Sequence, residues 1–180
     1  MPVTRGPSIS RRRHPGQRIG LLALATLPLM PGVIGATGPT DIVRVDDFIG
    51  AARELFGRTG PGVERVLGAP VAVERGAVPS FLDPVRVYPA RRLSYPGLVI
   101  EVLATGLVRR VQVTAPRPGL PFGLNVGTSR DEVERALGEP QEATDTLLMY
   151  LYSDGYPDTV HFHLRDGRVG RIEWNYGSAE

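Results

Sequence analysis

Apolar positions along this chain change from helical to strand spacing, and they do so twice in the same order. Phe48, Ala51, Ala52 and Leu55 recur at the three-and-four spacing of one helix face. They predict a helix from a cap at Asp46 or Asp47 to about Phe56, ended by Gly57. Val133, Ala136 and Leu137 share one face of a shorter helix, with Glu132, Glu134 and Arg135 turned to water. Ser129 with Glu132, or Thr128 with Asp131, can build a capping box at its start, and Gly138 and Pro140 stop it. The same triplet stands 70 residues earlier as Val63, Val66 and Leu67, stopped by Gly68 and Pro70. Its entry, Thr59-Gly60-Pro61-Gly62, lacks a capping carboxylate, so a shorter and weaker helix is expected there.

Strand-like runs follow each short helix. They span 85–88, 98–103 and 108–114 in the first half and 146–152, 159–164 and 169–176 in the second. Turns at Thr105-Gly106, Ser153-Asp154-Gly155 and Asp166-Gly167 separate them. A two-residue turn at Asp166-Gly167 pairs Leu164 with Val169, yet Val169 and Ile172 are three apart, so a regular strand cannot bury both. Val108 and Val111 pose the same problem in the first half. Either a bulge intervenes, or the turn is a three-residue type with a left-handed glycine; burial of Val160, Phe162, Leu164, Ile172 and Trp174 is expected in both cases.

The repetition is literal in places. Val63-Glu-Arg-Val-Leu-Gly-Ala-Pro70 returns as Val133-Glu-Arg-Ala-Leu-Gly-Glu-Pro140, and Tyr95-Pro96 returns as Tyr156-Pro157, 61 residues on. The expectation is an α+β fold made by tandem duplication of a unit, short helices followed by a three-stranded antiparallel meander. Helices would cover one sheet face and leave the other in solvent. The boundaries are 1–36 for an export signal, 37–46 for a linker, 47–115 for the first unit, 116–121 for a linker and 122–180 for the second unit. The excess length of the first half is assigned to a Pro-rich insertion over 71–94.

Composition alters this picture at the N-terminus. Arg5, Arg11, Arg12, Arg13 and Arg18 precede an apolar stretch from Ile19 to Ala36 that Pro28 and Pro31 interrupt. This is the pattern of an export signal, with a periplasmic or secreted product and no stable transmembrane anchor after cleavage. The whole chain carries a formal charge of +2, but residues 37–180 hold 16 arginines against 19 acidic residues, a net −3. The basic character thus belongs to the signal, and nucleic acid is not expected as a partner. Cysteine is absent, which excludes disulfides, thiolate metal sites, a Cys nucleophile and a lipidated cysteine.

Candidate chemistry concentrates in the second half. His161 and His163 alternate on one strand, so their side chains share a face about 7 Å apart along it. They could share a metal if Asp158 or Asp166 supplied a carboxylate; a solvent-facing strand whose polar positions happen to be histidine is the favoured explanation, and neither a bound metal nor another cofactor is expected. No serine lies in a Gly-x-Ser-x-Gly elbow, and the paired carboxylates Asp46-Asp47 and Asp131-Glu132 sit at predicted helix starts, where they complement the dipole. Leu147, Met149 and Leu151 alternate with Tyr150 and Tyr152, so one face of that strand is expected to be apolar and the other to present two tyrosines. Tyr150, Tyr152, His161, His163, Arg165, Arg171 and Glu173 form the expected partner-binding set.

Gly127-Thr-Ser-Arg-Asp-Glu-Val133, then Leu137-Gly-Glu-Pro140 and the meander ending Asp166-Gly-Arg-Val169, resemble a known signature. They resemble the β-lactamase inhibitory protein type of fold and are similar to the small outer-membrane lipoprotein of the β-barrel assembly machinery. That resemblance implies an exported bacterial protein of helix-plus-antiparallel-sheet units that binds another protein on its sheet. The lack of cysteine removes the anchor of the lipoproteins and the disulfides of the inhibitor, and no partner-contacting residue is matched, so β-lactamase inhibition is not carried over. The expected function is a non-enzymatic, exported protein-binding module. A metal-assisted hydrolase using His161 and His163, or a structural cell-envelope protein, are the alternatives.

Overall fold

A computed structural model describes residues 38–83, 85–153 and 157–180; the expected export signal and Tyr156 lie outside the described residues. Three α-helices, α1 (Ile42–Phe56), α2 (Gly60–Leu67) and α3 (Arg130–Leu137), accompany eight strands. The strands are β1 (Ala72–Pro79), β2 (Val87–Tyr95), β3 (Leu98–Leu103), β4 (Val108–Val113), β5 (Glu142–Thr144), β6 (Leu147–Leu151), β7 (Asp158–Arg165) and β8 (Arg168–Tyr176). They form one antiparallel sheet in the order β1-β2-β3-β4-β8-β7-β6-β5, so β4 and β8 pair at the centre. The protein is α+β.

Each group has four strands, where the sequence predicts three. The additional ones are the outermost, β1 and β5, which are exposed along almost all their length. An edge strand that buries neither face shows no alternation and is held by backbone pairing alone. The stretch expected to be a Pro-rich insertion is therefore largely the β1–β2 hairpin, paired from Ala72↔Ser94 to Pro79↔Val87.

The helices cover one sheet face. Val45, Phe48, Ile49, Ala52 and Phe56 are the buried face of α1, and Phe48 stacks on Phe162 and Trp174 with both centroid distances 5.4 Å. Such pairs add about 0.5–1.5 kcal/mol each beyond area burial. Trp174 Nε1–H donates to the Phe48 carbonyl (3.0 Å) and Tyr176 O–H to that of Ile49 (2.9 Å), which fixes the helix along the sheet. The α1 cap is Asp41, whose carboxylate accepts from the Arg44 N–H at 3.2 Å, so residues 42–46 of the expected linker are helical. Asp46 instead accepts from the Ser153 N–H at 3.0 Å.

α2 is as long as α3, 8 residues each, contrary to the expectation of a shorter first helix. The Thr59 hydroxyl accepts from Gly62 N–H at 3.2 Å, and Pro61 sits in the first turn, where its missing N–H costs nothing. In α3, Ser129 and Glu132 form the capping box. Both helices end on left-handed glycines, Gly68 (φ 79°) and Gly138 (φ 77°). A Cβ on Gly138 would lie 2.2 Å from the Pro39 carbonyl oxygen.

Both short helices are fastened at both ends. Gly60 N–H donates to Gly106 O and Val108 N–H to Arg58 O, each at 2.9 Å; Arg130 N–H donates to Gly167 O and Val169 N–H to Thr128 O, again at 2.9 Å. At the other ends Tyr95 O–H donates to Gly68 O (3.2 Å) and Tyr150 O–H to Gly138 O (3.0 Å). Tyr150 therefore occupies the place in its half that Tyr95 occupies in the other.

The register problem is resolved by bulges. Leu164 pairs with Val169 but His163 pairs with Arg171, leaving Gly170 as the extra residue. Val169 and Ile172 are both buried as a result. In the other hairpin Val102 pairs with Val108 and Glu101 with Arg110, and Arg109 is the extra residue.

Candidate functional site

The sheet face away from the helices carries a polar band from β2 to β7. Register places Arg92, Glu101, Arg110, Asn175 and Thr159 in successive cross-strand positions on this face, with Gln112, Glu173 and His161 in a second row beside them. The two parts of the band differ at their bulge residues, Arg109 and Gly170.

At the β3–β4 bulge the face is covered, while Arg92 nearby keeps 47% of its side chain exposed. Arg109, at the bulge, is 1% exposed; its guanidinium reaches Glu101 (3.3 Å) and Glu180 (3.0 Å), donates to the Pro79 carbonyl and stacks 3.6 Å from the Phe81 ring centroid. Glu180 also accepts from the Ser80 hydroxyl and from Phe81 N–H at 2.9 Å. Burial would raise the Glu180 carboxyl, but hydrogen bonds from Ser80, Phe81 N–H and Arg109 outweigh it and hold it below the ordinary carboxylate value. The spacing of Val108 and Val111 allows for a bulge here, but it does not reveal that the extra residue is a buried arginine.

In the β6–β8 part the bulge residue is an exposed glycine, Gly170, and the face stays accessible. His161 stands directly across from Glu173, and His163 across from Arg171. The imidazole centroids are 6.1 Å apart, and one ligand atom from each of His161, His163 and Glu173 lies within 4.8 Å of the others. Glu173 accepts from Gln112 Nε2 at 2.8 Å and lies 3.5 Å from Arg110 Nε. Burial would raise its carboxyl, but the Arg110 charge and the Gln112 and Asn175 hydrogen bonds hold it below the ordinary value. Burial pushes both imidazoles below theirs, and Arg171 adds to this at His163. The cluster at neutral pH is thus two neutral imidazoles beside one carboxylate.

Arg171 reaches into this cluster. Its Nη2 lies 3.0 and 3.2 Å from the two ring nitrogens of His163 and 3.8 Å from Glu173, while its Nε is buried without a hydrogen-bond partner. Thr159 Oγ1 lies 3.2 Å from His161 Nε2.

Three placements expected from residue pattern alone need correction. Tyr150 is fully buried on the helix side, where it meets Phe162 edge-on at 6.0 Å; Tyr152, half-buried, lies on that side too, in a cleft with Ile49, Arg53 and Tyr176. It is Leu147, Met149 and Leu151 that share the open face with the histidines. Strand alternation alone does not say which set faces inward; the C-terminal carbonyl of α3 decides it, because only a tyrosine can both fill the core there and satisfy that oxygen. The carboxylate beside the histidines is Glu173, not Asp158 or Asp166. Asp158 accepts from Arg53 (3.3 Å) and Ser178 (2.9 and 2.8 Å), and Asp166 is exposed in the β7–β8 turn. Arg165 is exposed at the same end, 3.9 Å from Asp166, and does not join the cluster.

No protein-family model and no curated protein sequence matches the chain. Among solved structures it is similar to the uncharacterized protein yfeY from Escherichia coli, at 16% identity over 58% of this chain and 81% of that one, with a TM-score of 0.37.

Proposed function

We propose that this chain is an exported, non-enzymatic protein-binding module that engages its partner through the open face of β6, β7 and β8. The observation that carries the reading is the unequal treatment of that face. Phe81 and Glu180 cover the bulge residue Arg109 of the β1–β4 part, whereas the β6–β8 part presents His161, His163, Arg171, Met149 and exposed Leu151 with no helix of the described residues over them. A mixed apolar, imidazole and arginine surface on a rigid sheet suits a protein partner.

Tandem duplication supports the same reading. The repeated Val-Glu-Arg-x-Leu-Gly-x-Pro segments become α2 and α3 with their stops, both followed by a tyrosine bonded to the terminal glycine carbonyl and by a bulged hairpin. Two units of one ancestor, diverged on their open faces, leave the scaffold constant and the surface free to specialise. The resemblance to the β-lactamase inhibitory protein type of fold implies the same use of a sheet, and the N-terminal basic and apolar pattern implies export.

The test is affinity capture from the exported fraction of the native host with purified protein. Wild type recovers a partner. Met149→Glu and Leu151→Glu weaken capture by at least about 30-fold, the scale of losing a hot spot of 2 kcal/mol. Val66→Glu, on exposed α2, leaves it unchanged. Equal capture by all the variants refutes the sheet-face reading.

A further inference from the structure

We infer that His161, His163 and Glu173 form a binding site for one divalent transition-metal ion of the zinc, cobalt and nickel type on the open sheet face. The inference does not depend on the protein-binding reading, because it concerns donors already gathered by strand register. His161 and His163 are two residues apart on β7 and so project to the same side, and Glu173 on β8 is the cross-strand neighbour of His161. Three donors from two adjacent strands of one sheet need no loop to bring them together.

The distances are those of a site that side-chain rotation can close. One ligand atom from each residue lies within 4.8 Å of the others. Tetrahedral ligands about 2.0–2.2 Å from a zinc ion are roughly 3.3 Å apart, so the donors must approach by at most about 1.5 Å, and His163 Nε2 already stands 3.8 Å from Glu173 Oε2. Rotation of half-buried side chains on an accessible face can supply that movement. Two imidazole nitrogens and one carboxylate oxygen favour zinc, cobalt, nickel or copper over magnesium or calcium, which take oxygen ligands alone. The fourth position faces solvent and would hold water.

Supporting contacts are in place. Gln112 and Arg110 orient the Glu173 carboxylate, and Thr159 holds the His161 ring by one nitrogen. Such outer contacts fix ligand orientation and typically change metal affinity by 10–100-fold.

Arg171 is the competitor. Its guanidinium stands 3.0 Å from a His163 ring nitrogen and 3.8 Å from Glu173, where an incoming cation would be placed. With 40% of its side chain exposed and its Nε unpartnered, it can leave for solvent as the metal enters. Arg171 is a resident cation that the metal displaces, and that assigns opposite effects to substitutions on neighbouring positions of one cluster.

The experiment uses tag-free protein, stripped with chelator and titrated with Co2+ by visible absorbance and with Zn2+ by calorimetry. Wild type binds one ion per chain, and the Co2+ complex shows the intense d–d bands of a four-coordinate site. His161→Phe and His163→Phe weaken binding by about 100-fold, and Arg171→Ala tightens it by about tenfold, both within the range of ligand and outer-contact changes. Buried Trp174 fluorescence confirms that the variants are folded. Wild-type uptake no greater than that of the His161→Phe/His163→Phe double variant overturns the site, and so does unchanged or weakened binding in Arg171→Ala. Loss of protein capture in the earlier test leaves this outcome untouched, so the two readings fail separately.

Discussion

Replacing Arg109 by methionine removes a buried charge while keeping an unbranched side chain over Phe81. In the native structure the guanidinium contacts two carboxylates that are 5% and 1% exposed, those of Glu101 and Glu180. Loss of one partner of a buried pair typically costs about 3–5 kcal/mol, because the other charge remains without compensation. Glu101 keeps Arg92 at 3.2 Å and Arg110 at 3.5 Å, and Glu180 keeps the Ser80 hydroxyl and the Phe81 N–H. The lower end, about 3 kcal/mol, is therefore expected, a large share of the roughly 5–15 kcal/mol that holds most domains folded. At about 2–4 °C per kcal/mol for a chain of this size, the melting temperature falls by roughly 6–12 °C.

Urea unfolding followed by the single, fully buried Trp174 gives the free energy directly. Adding Glu180→Gln separates the causes. If the cost comes from an uncompensated carboxylate, the double variant regains at least about half of the loss, because a neutral amide is far cheaper to bury. A loss under about 1 kcal/mol in Arg109→Met would show that water already screens the arginine. A full loss with no recovery in the double variant would assign the cost to packing on Phe81 and refute the charge argument.

The remaining predictions concern the tyrosines. Tyr150→Phe leaves the Gly138 carbonyl without its buried donor and costs about 1–2 kcal/mol in the same assay; no change would mean that water replaces the hydroxyl. Burial raises the phenols of Tyr150 and Tyr176 well above the ordinary tyrosine value, so the folded state keeps protons that the unfolded chain gives up. Their contribution is fully present below the unfolded value near 10 and is lost as pH rises towards the folded values. Absorbance titration at alkaline pH should therefore show these two ionising together with unfolding, and two fewer such tyrosines in Tyr150→Phe/Tyr176→Phe. Free titration of all six near pH 10 would contradict their placement.

What can be read from the chain follows burial. α3, its capping box and its glycine stop are legible because local chemistry fixes them: Ser129 three before Glu132, Val133 and Leu137 on one face, Gly138 at the end. The buried residues of β7 and β8 are legible because alternation survives wherever one face meets a core. β1 is not, since a strand exposed on both faces has no pattern to betray it. The side taken by Tyr150 is hidden because Leu and Tyr alternate on β6, and both kinds of side chain can be buried; the deciding partner, Gly138 O, is a backbone atom. Spacing sets His161 and His163 on one face, but their carboxylate comes from β8, and the bulge at Gly170 fixes which residue that is. Without the bulge, His161 would face Ile172.

The bulges in the two hairpins occupy equivalent positions and differ by one side chain, arginine at 109 and glycine at 170. An arginine there gathers an internal set of contacts: Pro79 and Phe81 from the β1–β2 connection, and Glu180, close over it. A glycine offers no side chain for such contacts, and Gly170 is exposed. The side chain at this one bulge position thus marks where the two halves part: in one it is a buried ion-pair centre, in the other a bare, exposed stretch of backbone.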